Sequence, residues 1–234
     1  MTAQEILDRL RPLGKESYKR VMMKHGAQEP IFGVSIADMK PIQKEVKKNY
    51  QLAKDLFDTG VYDAMYLAGL IADDTKMTQE DLEDWLKKAN CSAIWNVTVA
   101  WVAAESNHGW ELALKWIDQA DEKTMCTGWA TLGGWVALRP DSELDTAKLK
   151  ELLHTVETTI HQQSDALKYQ MNGFVIAVGS YVLELNSQAI RAGESIGRVE
   201  IQLIGDCKLP AIGEYIQKVA DRGRIGVKRK TVKC

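Results

Sequence analysis

The chain has 234 residues, 45% of them hydrophobic and 26% charged, with a formal net charge of −2. That length allows one large or two small domains around a sizeable core. No apolar run approaches the roughly 18 residues of a membrane span, and the amphipathic opening MTAQEILDRLRP is not a signal peptide, so a soluble cytoplasmic protein is expected. Cys91, Cys126, Cys207 and Cys234 show no CxxC spacing, and His25, His108, His154 and His161 form no cluster, which argues against a disulfide framework and against zinc or any other metal. No cofactor is expected, and the expected assembly is a monomer.

Helical periodicity runs through nearly the whole chain, and strand alternation is scarce. Helices are predicted over Thr2–Leu10 and Lys15–Lys24, followed by a loop through Pro30 and Gly33. Ser35 caps a helix to about Lys48, and Asn49 caps the next, which stops at Gly60. Another spans Tyr62–Ala72, and Thr78 with Asp81 opens one ending near Ala89 in a capping-box pattern. Two central segments follow, Cys91–Trp101 and Cys126–Trp135, separated by a helix over Trp110–Ala120. Asp145 or Thr146 begins a helix to Gln162, and Ser164 caps one reaching Leu185. Short helices and loops follow, with a last helix over Glu214–Ala220.

The two central segments carry Trp95, Trp101, Trp129 and Trp135, and the second also has Gly128, Gly133 and Gly134. Each interior glycine costs a helix about 1 kcal/mol relative to alanine. Something must therefore approach the backbone closely, either a partner helix or a ligand. Helical spacing puts Ser92, Asn96 and Val99 on one face, Gly128, Thr131 and Trp135 on a second, and Gln170 and Phe174 on a third. These rows are expected to line one cleft, with Asn96, Thr131 and Gln170 as its polar groups, and Trp95, Trp129 and Gly134 beside them. Each tryptophan taken singly also suits ordinary packing between helices. Cys126 is a candidate nucleophile with His108 as its base.

From Gly213 onward seven bases oppose Glu214 and Asp221, giving +5 there and −7 elsewhere. Arg222, Arg224, Lys228, Arg229 and Lys230 are candidate phosphate contacts in a basic tail from about residue 221, although a solvated tail has the same composition. Repetition decides the fold class. Tyr50–Asp58 resembles Trp110–Asp118, each is followed by a second apolar helix, and Leu153–Ile160 with Tyr169–Tyr181 is a weaker third copy. The expected fold is all-α, a helical-repeat solenoid forming a single domain over residues 1–234, with a concave cleft.

The segments Phe32–Lys44, Ala53–Asp58, Leu67–Asp74 and Asn172–Tyr181 resemble the HEAT-like-repeat DNA alkylation repair proteins, the AlkD-type alkylpurine DNA glycosylase family, over about Gly33 to Tyr181. The resemblance implies a concave basic face that holds duplex DNA and excises a cationic N-alkylated purine. It also implies a cleft with two tryptophans, an aspartate and an arginine, suited to a cationic base and to positive charge developing on the sugar. By this resemblance the aspartate position falls at Asn96, the first tryptophan at Ser92, the arginine near Gly128 or Trp129, and the second tryptophan at Phe174. Asn96 is neutral and supplies no such charge, so the glycosylase reaction is in doubt. Two alternatives stand beside DNA binding: the same scaffold with its cleft re-engineered, by design or evolution, for a flat aromatic small molecule, and a non-enzymatic protein-interaction module.

Overall fold

The computed structural model describes residues 1–202 and 208–234. Cys207, and the part of the expected short helices and loops that spans 203–207, lie outside the described residues. The chain divides into two units, one formed by Met1–His108 with Lys233–Cys234 and the other by Gly109–Val232. Among the described residues the regular structure is entirely helical, and no helix is long and apolar enough to cross a membrane.

The first unit holds α1 (Ala3–Leu10), α2 (Glu16–Lys24), α3 (Ile36–Val46), α4 (Tyr50–Phe57), α5 (Tyr62–Ile71), α6 (Gln79–Lys88) and α7 (Ala100–Glu105). Local chemistry sets most of the starts. Thr2 with Glu5 and Thr78 with Asp81 form complete capping boxes, and the Ser35 and Asn49 side chains accept from Asp38 N and Leu52 N. Every residue of α5 is buried, as its all-round apolar sequence requires. Asp63 in that helix is tolerated because its carboxylate accepts from Phe32 N at 2.6 Å and Val34 N at 2.7 Å, which also pins the preceding loop. Phe57 stacks on Trp85 with ring centroids 4.2 Å apart.

The second unit holds α8 (Gly109–Ile117), α9 (Glu122–Leu138), α10 (Thr146–Thr159), α11 (Asp165–Tyr181), α12 (Asn186–Ile196) and α13 (Ile212–Asp221). Its core centres on α9, which packs on both α8 and α11. Asp121, Asp145 and Ser164 cap α9, α10 and α11 with side-chain acceptors. The repeated segments do form successive packed pairs, α4 on α5 and α8 on α9.

Three expectations need correction. The segment after Cys91 is not an ordinary α-helix, because Ile94–Val99 winds as a π-helix before α7 begins. The Ser164 helix ends at Tyr181 and is followed by a 3-10 turn at Leu183–Leu185. Residues expected as short helices and loops include the eleven-residue α12.

Candidate functional site

The π-helix Ile94–Val99 is the most unusual backbone feature of the first unit. Such wider turns cost regular hydrogen bonding and concentrate at functional positions. Gly69 of α5 lies against it, and a Cβ there would come within 2.5 Å of Thr98 Cγ2. The absent side chain is thus what lets the wide turn sit against α5. Thr98 is fully buried with its hydroxyl unpaired, and the buried Oδ1 of Asn96 likewise accepts no hydrogen bond. Buried unpaired polar atoms are uncommon enough that each calls for a reason. Ser92 is exposed, and Trp95 and Asn96 are half-buried, so this turn reaches the surface through an indole while the amide oxygen itself stays covered.

The candidates in the second unit are placed differently. Gly128 is filled by its own scaffold, since a Cβ would lie 2.8 Å from Ile117 Cγ2 and 3.0 Å from Ala113 O, so the partner is α8 and not a ligand. Trp129 and Phe174 are buried and pack edge to face at 5.1 Å. Thr131 donates its hydroxyl to Thr127 O at 2.7 Å, which removes it as an open polar group. Cys126 is buried, and burial together with Glu122 and Asp121 pushes its thiol up to about 12. An activated thiolate needs the opposite shift, so the nucleophile reading is corrected. Gly134, Trp135 and Gln170 remain half-buried.

Sequence reasoning missed an arginine here. Arg139 holds its guanidinium 4.2 Å from the centre of the Trp135 ring. The signal was available as an i, i+4 spacing, although Arg139 falls just past the end of α9.

The basic tail is only partly a tail. Lys228 donates to Val136 O at 2.9 Å and pairs with Asp141 at 2.7 Å, so it is not an open phosphate contact. Gly226 N donates to Ser180 O and Arg229 N to Ala137 O, which lays this segment along the second unit. Arg222, Arg224, Arg229 and Lys230 are exposed. Lys233 belongs to the first unit, where it is buried in an ion pair with Asp74, with Glu105 Oε2 at 4.0 Å; Lys48 meets the same Asp74 at 2.9 Å. Among the described residues, no three His, Cys, Asp or Glu side chains gather in a way that could hold a metal ion.

Comparison with known proteins matches the family described as DNA alkylation repair enzyme over residues 6–198. The chain belongs to that family. Two curated relatives of this family member are uncharacterised proteins of Listeria. Lin0241 of Listeria innocua is 27% identical and Lmo0209 of Listeria monocytogenes 26% identical, each over 95% of this chain and 99% of the relative. A solved structure matches all of both chains with a TM-score of 0.92 and 37% identity. It is described as a new family of proteins related to the HEAT-like repeat DNA glycosylases with affinity for branched DNA structures. The helical pairs of this DNA alkylation repair family member are therefore HEAT-like repeats.

Proposed function

We propose that the protein is a DNA-structure-binding member of the alkylation repair family, one that recognises branched or distorted duplex DNA and does not excise bases. The observation that carries this reading is Asn96. It stands where the resemblance implies a carboxylate, and a neutral amide supplies none of the electrostatic stabilisation that a developing sugar cation requires. The affinity of the related structure for branched DNA supports the choice of partner. The exposed Arg222, Arg224, Arg229 and Lys230 are the proposed phosphate contacts, and phosphate neutralisation makes binding fall with salt. The free thiols Cys91, Cys126 and Cys234 suit a reducing cytoplasm.

Fluorescence anisotropy with a four-way junction and a linear duplex of equal length, at about 50 and 200 mM salt, tests the binding. A junction preference of about tenfold or more, equal to about 1.4 kcal/mol, is expected. Equal affinity for both substrates sinks the reading of structure recognition. Release of N-alkylpurine from a methylated duplex by the unaltered protein sinks the claim that excision is absent.

A further inference from the structure

The C-terminal segment belongs to the second unit as far as Val232 and to the first from Lys233. Its part in the second unit is fixed at helix ends. An α-helix leaves its last carbonyls without a partner inside the helix, and these need donors from elsewhere. Gly226 N donates to Ser180 O in the last turn of α11. Lys228 Nζ and Arg229 N donate to Val136 O and Ala137 O in the last turn of α9. A lysine suits that position, because aligned backbone dipoles leave partial negative charge at a helix C-terminus. The segment is thus a strap that caps two helices.

At its far end the strap is held by charge. Val232 and Lys233 are buried, the Lys233 ammonium pairs with Asp74, Glu105 Oε2 lies 4.0 Å away, and the Cys234 side chain meets the Tyr66 hydroxyl. A buried ion pair returns little more than its desolvation costs, and an apolar side chain of similar volume would serve stability as well. What the pair does supply is one register for the chain that carries it. Only Lys230, Thr231 and Val232 stand between Arg229 N on Ala137 O and Lys233 on Asp74, so few backbone angles separate the two anchors. From Arg222 to Lys233 the sequence holds six bases and no acid. Lys228 and Lys233 are engaged as anchors, on Asp141 and Asp74, whereas Arg229 and Lys230 are exposed and form no ion pair among the described residues. Cations on a loose tail must be ordered when a ligand binds, which weakens binding; on a backbone already fixed, that entropy is lost before the ligand arrives.

We propose that Lys233 is a positioning residue for DNA binding, whose pair with Asp74 clasps the strap so that Arg229 and Lys230 meet the DNA backbone already ordered. This rests on the reading above that DNA is the partner. Phosphates line the arms of a junction and a linear duplex equally, so the clasp adds affinity for both and leaves the preference between them to other residues.

The test uses the full chain with Lys233→Met, with the pair Arg229→Ala and Lys230→Ala, and with all three together, each at a temperature where melting shows complete folding. Lys48 stays 2.9 Å from Asp74 in the methionine variant, so the buried carboxylate keeps a counter-charge. Trypsin is expected to cut the methionine variant after Arg229 and Lys230 faster than it cuts the unaltered protein. Junction and duplex affinity are expected to fall together by about tenfold, with the salt slope unchanged because the same phosphates are neutralised in the end. The alanine pair is expected to weaken both substrates and to lower the salt slope by about two. Adding Lys233→Met to that pair is expected to cause no further loss, whereas a lysine with a merely structural role gives losses that add. A released tail with unchanged affinity overturns the positioning role, and so does a tail that stays protected or a set of additive losses. If the unaltered protein binds neither DNA, the DNA reading itself fails and the positioning role fails with it.

Discussion

The π-helical turn of the first unit and the α9–α11 packing of the second draw on the same residue types, tryptophan, threonine and glycine, yet they finish with opposite accounts of their polar atoms. In the second unit Thr131 is satisfied by the turn before it, Gly128 is filled by α8, and Trp129 is sealed against Phe174. In the first unit the glycine is also filled, but Thr98 and Asn96 keep buried oxygens unpaired and Trp95 remains accessible. The difference teaches that a glycine beside tryptophan marks close helix approach in both places; a buried hydroxyl without a partner also occurs in the second unit, at Ser180 of α11, so what sets the first region apart is that Asn96 and Thr98 lie together on a π-helical turn beside half-buried Trp95. Stability should therefore concentrate in one region and recognition in the other.

The largest expected effect is on the packed side. Trp129→Ala should cost about 3 to 5 kcal/mol by denaturant unfolding, while junction affinity measured on the folded fraction stays unchanged. A loss of affinity at full folding would break the comparison. Gly128→Ala should cost up to about 3 kcal/mol, because the added methyl meets Ile117 N at 2.9 Å and Ala113 O at 3.0 Å, and backbone atoms yield little. A neutral result would return that space to a ligand and revive the aromatic small-molecule alternative.

Next in size is an ion pair of the first unit. Burial alone would raise the Asp81 carboxyl, but Lys54, the Tyr50 hydroxyl and Thr78 N together hold it below the usual carboxylate range. Its folded value is depressed, so the stability it contributes is complete above the unfolded value of about 3.9 and is lost as pH falls through the lower folded value. Lys54→Met removes the main counter-charge. It should cost about 2 kcal/mol at neutral pH and shift the acid-unfolding midpoint upward. An unmoved acid midpoint would refute the assignment.

The smallest expected stability change is the most informative one. Asn96→Ala deletes an acceptor that has no partner in the chain, so stability should change by less than about 0.5 kcal/mol while DNA binding weakens. Melting and anisotropy on the same preparation check both halves. A large loss of stability with unaltered binding would move Asn96 to the packed class.

The sequence made the caps legible because they are local. Ser35 with Asp38, Asn49 with Leu52, and Thr78 with Asp81 settle their bonds within three residues, whereas Thr2, read as helical, is in fact the N-cap of α1 in a box with Glu5. The all-α class and the repeated pairs were legible through hydrophobic period. The π-helix was not, since it depends on Gly69 meeting Thr98 across two elements. The candidate rows suffered from the same limit. Periodicity put Gly128, Thr131 and Trp135 on one stripe and Gln170 with Phe174 on another, but which side chains are buried depends on the neighbours that α9 and α11 find. The basic tail left phosphate contacts and a solvated run equally open, because nothing nearby in sequence shows that Lys228 ends on Asp141 and Lys233 on Asp74.

That last pair also has a kinetic meaning. Asp74 and Lys233 are 159 residues apart, so their contact closes one of the longest loops the chain can make. The entropy of such a closure grows with the logarithm of loop length and must be met before the pair returns anything, so the pair is expected to form late in folding. Lys233→Met should therefore raise the unfolding rate in stopped-flow experiments and leave the folding rate nearly as it was. An effect confined to the unfolding rate would mean that the Lys233–Asp74 pair sets how long the folded state persists more than how quickly it is reached.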